Sequence, residues 1–107
     1  MPRSSTLDIT TIDDDGPVRV ILVGGLDIAT VEKFEAVTIR ALGAGRSLVV
    51  DLGELTVCDS TGLGALVRVH RRAKAGGQEL RLGNPRPHVA DLLAMTGINK
   101  VIPVETA

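Results

Sequence analysis

Aromatic residues are nearly absent from this 107-residue chain, which has one phenylalanine, Phe34, and neither tryptophan nor tyrosine. A surface that stacks nucleic-acid bases on aromatic rings is therefore excluded. Cysteine is almost as scarce: Cys58 stands alone, so no internal disulfide and no cysteine-based metal cluster can form. Net charge is also lacking, because 12 basic residues offset 13 acidic ones. Without a basic excess there is no electrostatic footprint for nucleic acid or an anionic membrane. No apolar run is long enough to span a bilayer, and the opening "MPRSSTLDITTIDDDG" has no apolar signal core. The expectation is a cytoplasmic protein with no membrane partner and no direct nucleic-acid partner.

What remains is a chain of one-domain length, residues 1–107, that is 44% hydrophobic, its core built from Leu, Ile, Val and Ala. The polar residues 1–6 are expected to lie outside the folded unit. "LDITTID" and "VRVILVGG" flank the turn signal "DDGP", which predicts a hairpin of Leu7–Asp13 with Val18–Val23. The triplet Asp13-Asp14-Asp15 lacks the alternating acids and the later glutamate of a calcium loop, so it is read as a hairpin tip.

Beyond "GGLD" the apolar period changes. Val31, Phe34, Val37 and Ala41 predict an amphipathic helix ending at "GAG", and "SLVVDL" a strand buried on both faces. Leu63, Leu66, Val67, His70 and Ala73 predict a second helix stopped by Gly76-Gly77. "ELRLG" reads as a strand, "PRPHVADLLAMTG" as a helix between proline and glycine, and "INKVIPV" as a last strand. The resulting fold class is α/β: a mixed β-sheet with an N-terminal hairpin and packed α-helices.

The densest polar cluster, Asp59-Ser60-Thr61-Gly62, lies between a buried strand and a helix start. Asp59 and Ser60 are good helix caps, but a cap does not call for Gly62 and Gly64, each of which disfavours helix by about 1 kcal/mol relative to alanine. Missing side chains suit a surface that another backbone or a nucleotide approaches closely, so the glycines point to docking around Ser60.

Enzymatic readings fare worse. An aspartic protease loop would place glycine closer to Asp59, and a serine nucleophile would need a base that neither His70 nor His88 is placed to supply. A nucleotide-hydrolase loop needs a glycine-lysine pair that "DSTGLGAL" lacks. The two histidines have no metal-ligand spacing, and Cys58 has no basic neighbour in sequence to stabilise a thiolate. No catalytic residue, metal or cofactor is expected. Arg68, Arg71, Arg72 and Lys74 form a basic side of the second helix, read as a solvated face.

From "GGLD" to the end, and above all in Asp59-Ser60-Thr61-Gly62-Leu63-Gly64 with Asp27 and "LLAMTGINKVIPV", the chain resembles the STAS domain of bacterial anti-sigma factor antagonists. The resemblance implies a STAS-type fold in which Ser60 is phosphorylated by an anti-sigma factor that is also a serine kinase. The unphosphorylated form would bind that factor and release a sigma factor, and a serine phosphatase acting on phospho-Ser60 would reset it. Asp27, Asp59, Thr61, Gly62, Leu63 and Gly64 would then form the partner-binding surface. The chain departs from the family in having Gly25 where glutamate is common, and in a final helix that is short or missing. The alternatives within the resemblance are an accessory subunit of a membrane lipid transporter and a stressosome-type scaffold component.

Overall fold

The structure, a computed structural model, describes residues 6–13 and 15–106. Its elements are β1 (Leu7–Ile12), β2 (Val18–Leu26), α1 (Val31–Gly43), β3 (Leu48–Cys58), α2 (Ser60–Ala75), β4 (Leu80–Gly83), α3 (Pro87–Met95), a 3-10 turn (Ile98–Lys100) and β5 (Val104–Glu105). One sheet in the order β1-β2-β3-β4-β5 joins them. Only the β1–β2 pair is antiparallel, so the sheet is mixed, as the alternation of strands and helices predicts.

Alternation along the strands sorts the two faces. Val18, Val20 and Leu22 of β2, Leu48, Val50 and Leu52 of β3, and Leu80 and Leu82 of β4 are buried in one apolar cluster with Phe34, Leu66 and Val69 of the helices. Helices α1 and α2 pack against each other and against β2 and β3. On the other face, Arg19 bonds Asp51 at 2.8 Å, and Glu105 lies within ion-pair reach of Arg19 and Arg81. Among the described residues, no helix is long and apolar enough to cross a membrane, and no group of three His, Cys, Asp or Glu side chains could hold a metal.

Several boundaries differ from the expected ones for physical reasons. The pairing of β2 with β3 continues to Leu26 and Cys58 through two register shifts, so both strands outrun their apolar segments. Helix α1 buries Thr38 and Leu42, while Val37 and Ala41 are only half-buried. The Thr38 hydroxyl is satisfied by donating to the Phe34 carbonyl at 3.0 Å. In α2 the stripe includes Ala65 and Val69, and Val67 sits at its margin.

"INKVIPV" is not a strand. Gly97 takes a left-handed conformation (φ 76°) that stops α3, and the 3-10 turn follows with Ile98 and Ile102 buried four residues apart. Only Val104–Glu105 then reaches β4. Among the described residues no helix follows β5.

The N-terminal boundary also moves. Residues 1–5 lie outside the described residues, but the Thr6 carbonyl accepts from the Gly25 amide at 3.0 Å. Gly24 is left-handed (φ 119°), and a Cβ there would overlap the Thr6 carbonyl oxygen, so this bend admits only glycine. Since Thr6 faces β2, the backbone groups of Leu7, Ile9 and Thr11 face outward along the free edge of β1. The Lys33 ammonium, from α1, donates to the Leu7 carbonyl there at 2.6 Å.

Candidate partner-binding site

Parallel pairing of Leu26 with Cys58 brings the ends of β2 and β3 side by side, so Asp27 and Asp59 leave the sheet together. Each acid organises its own turn. Asp27 Oδ1 accepts from the Ala29 amide at 2.9 Å. Its amide donates to Thr30 Oγ1 at 3.0 Å, and that hydroxyl donates to the Gly25 carbonyl at 2.7 Å. The connection from β2 into α1 is thus closed by local bonds.

Asp59 is the N-cap of α2: Oδ1 accepts from the Gly62 amide at 2.9 Å, and its carbonyl accepts the first helical bond from Leu63 at 2.9 Å. Ser60 is the first helical residue and is exposed. The amides of Ser60 and Thr61 have no protein partner among the described residues, which leaves two donors at the positive end of the helix dipole.

The predicted site residues divide into two groups. Asp27, Asp59, Ser60, Thr61 and Gly64 are exposed or half-buried around the helix start. Gly62 and Leu63 are buried, with Leu63 in the core cluster. Gly62 reverses the steric reading of its missing side chain: a Cβ there would overlap the carbonyl oxygen of Leu26, so the glycine lets α2 press on the end of β2 in the same chain. A Cβ on Gly64 would meet only Arg68 Nη1, at an ordinary 3.4 Å. Arg68 ties α2 to α1 through Glu35 at 2.7 Å.

Two residues escape the sequence reading. Ile28 is 77% exposed beside Asp27, and Val57 is 51% exposed two residues before Asp59. Exposed apolar side chains flanking a polar cluster are the composition of a protein-docking patch. The available signal was Ile28 itself, an isoleucine outside both the β2 alternation and the α1 period.

Neighbouring groups serve the fold. Cys58 is buried, and burial followed by the adjacent Asp59 carboxylate pushes its thiol up to about 11. The side chains of Arg86 and His88 bond the Gly53 and Thr56 carbonyls at 3.0 and 2.9 Å, fastening the start of α3 to β3.

Comparison with known proteins places the fold in a family. The family model described as "Mlab, STAS domain" matches residues 9–103. BtrV of Bordetella bronchiseptica, provisionally named an anti-sigma factor antagonist, is 31% identical over 91 residues, covering 84% of this chain and 78% of that protein. The crystal structure of an anti-sigma factor antagonist from Mycobacterium paratuberculosis superposes with a TM-score of 0.84 at 21% identity, over 92% of this chain and 85% of the other. The Bacillus protein SpoIIAA in its phosphorylated form gives a TM-score of 0.74 at 22% identity, over 95% and 91% of the two chains. On the strength of the family match across nearly its whole length, the chain belongs to the STAS-domain family that contains the anti-sigma factor antagonists.

Proposed function

We propose that this protein is an anti-sigma factor antagonist that docks its partner at the start of α2 and is switched off by phosphorylation of Ser60. The partner is an anti-sigma factor with serine kinase activity, and a serine phosphatase restores the binding form. The observation that carries this reading is the exposed Ser60 at the first position of α2, next to the capping Asp59. It is supported by kinship with chains named as antagonists and by a structural neighbour that exists as a phosphoprotein.

The physics of the helix start explains how one site can both accept a phosphate and lose a partner. A phosphoryl group adds about −1.5 to −2 charges. Within the free protein the unpartnered amides of Ser60 and Thr61 favour an anion at this position. The fold therefore survives modification. A docked partner has to meet that charge together with Asp59 and Asp27, so repulsion and desolvation fall on the complex. Asp27, Asp59, Thr61 and Gly64 form the polar contact surface, with Ile28 and Val57 as apolar anchors. Gly62 and Leu63 hold the helix start in place from inside.

Incubation with the candidate anti-sigma kinase and ATP, followed by mass mapping, tests the assignment. One phosphoserine is expected, at position 60. Modification at Thr61, or none from a kinase shown to be active on another substrate, overturns it.

A further inference from the structure

Helix α2 presents Val67, His70, Arg71 and Lys74 at the i, i+3, i+4, i+7 spacing of a single helix side. Facing them is the turn from α3 into the 3-10 helix, where left-handed Gly97 swings Ile98 and Val101 towards α2. Between the two lies an open cavity of about 400 Å³, a volume within the range of small-molecule sites. Its centre is separated from Ser60 by about ten residues of helix, or roughly 15 Å along the axis, so it is distinct from the phosphorylation site.

The lining has two chemical parts. Val67, Ile98 and Val101 supply an apolar wall, and Val101 remains 57% exposed. The polar part is Arg71, Lys74 and His70, with the Thr96 hydroxyl already donating to the Leu92 carbonyl at 2.7 Å. Arg71 and Lys74 are exposed and make no ion pair among the described residues, and no acidic side chain lines the cavity.

His70 is buried, and its Nδ1 has neither solvent nor a hydrogen-bond partner. Burial, then Lys74 and Arg71, push the imidazole below its ordinary range, which keeps the ring neutral near pH 7. A proton on Nδ1 would be a buried N–H without an acceptor, so the proton belongs on Nε2, the nitrogen left to meet solvent. A neutral N–H and two cations thus converge beside an apolar wall.

We infer that this cavity binds a small carboxylate carrying a short apolar chain. The carboxylate is held at the rim by Arg71 and Lys74 with His70 Nε2–H as a further donor, and the chain lies across Val67, Ile98 and Val101. Charge complementarity selects an anion, and the apolar wall of Val67, Ile98 and Val101 selects one that carries a chain.

Octanoate serves as the probe, titrated into the isotope-labelled full chain and followed by amide chemical shifts. Saturable shifts are expected at Gly97, Ile98 and Val101. Octanol, which keeps the chain without the charge, and acetate, which keeps the charge without the chain, should each bind at least about tenfold more weakly. Arg71→Gln combined with Lys74→Gln should weaken octanoate by about tenfold or more while leaving the chain folded with at most a small drop in thermal midpoint, since both residues are exposed and Lys74 lies in the last turn of α2. Non-saturating shifts, equal affinity for octanol, or unchanged binding by the double variant overturns the inference. So do shifts centred on Val37 and Arg40 in the other groove, between β1 and α1. An acidic peptide that binds here where octanoate does not would also overturn it, making the face a protein-docking surface.

Discussion

Gly62 and the carbonyl oxygen of Leu26 lie so close that a methyl group on the first would occupy the space of the second. The contact joins the first turn of α2 to the last residue of β2, and both flank the candidate site. Gly62→Ala should therefore destabilise the fold by about 3 kcal/mol, the upper end of ordinary overpacking. Gly64→Ala should be neutral or stabilising by up to about 1 kcal/mol, because an interior helical glycine gives way to alanine with only a flexible arginine beside it. Urea unfolding of the two variants checks the contrast; equal stabilities would mean that α2 can back away from β2 at little cost.

Charge, rather than loss of a hydroxyl, should operate Ser60. Ser60→Ala removes one exposed polar group and should keep partner affinity within about tenfold, or 1.4 kcal/mol. Ser60→Asp should bind clearly less well, though less severely affected than phosphoserine because it carries less charge. Raising salt should narrow the gap by screening an exposed repulsion. Calorimetry against the purified anti-sigma factor at two salt concentrations measures this, and identical affinities for two folded variants would exclude an electrostatic switch.

Ile28, at 77% exposure, contributes little to the core. Ile28→Ser should change stability by no more than about 0.5 kcal/mol yet weaken partner binding by about 1–2 kcal/mol, as expected for an apolar anchor at an interface. Unaltered binding would remove this residue from the docking surface.

Cys58 makes the fold sensitive to alkali. Its folded value of about 11 lies above the ordinary 9.0, so the native state holds its proton where the unfolded chain has lost it. The stabilisation is complete below pH 9, declines as the pH rises, and is gone above about 11. The two-unit difference corresponds to about 3 kcal/mol. Unfolding free energies at pH 8 and pH 10.5 should show a loss that Cys58→Ala lacks, and iodoacetamide should label the native thiol slowly at neutral pH.

Local chemistry made much of this structure legible. The turn at "DDGP", the glycine stop after α2, the proline start of α3 and the capping role of Asp59 each depend on neighbours within a few positions. What escaped depends on residues distant in sequence. Gly62 gives no sign in its own segment of whether its missing Cβ makes room for Leu26, 36 positions away, or for another molecule. The polar end of β3 is held in the sheet by the pairing of Glu54 with Val23 and by the Thr56 hydroxyl, which donates to the Gly24 carbonyl at 3.1 Å, and not by apolar alternation. Conversely, the valines and isoleucines after Gly97 look β-prone, but Ile98 and Ile102 are buried through a tight turn. The same spacing problem hid Ile28, whose exposure is a property of the assembled surface.

The lysine on the rim of the sheet has a bearing on molecular accounting. Lys33 fills the outward carbonyl of Leu7, so one acceptor on the open edge of β1 is already taken beside Ile9 and Thr11. A second molecule laying its own first strand alongside would have to displace the ammonium group or bury it without a counter-charge. A regulator that works by stoichiometric capture counts only while each copy is available, and strand-to-strand growth would withdraw copies from that pool. For such a regulator, one side chain of α1 would oppose that loss at this edge of the sheet.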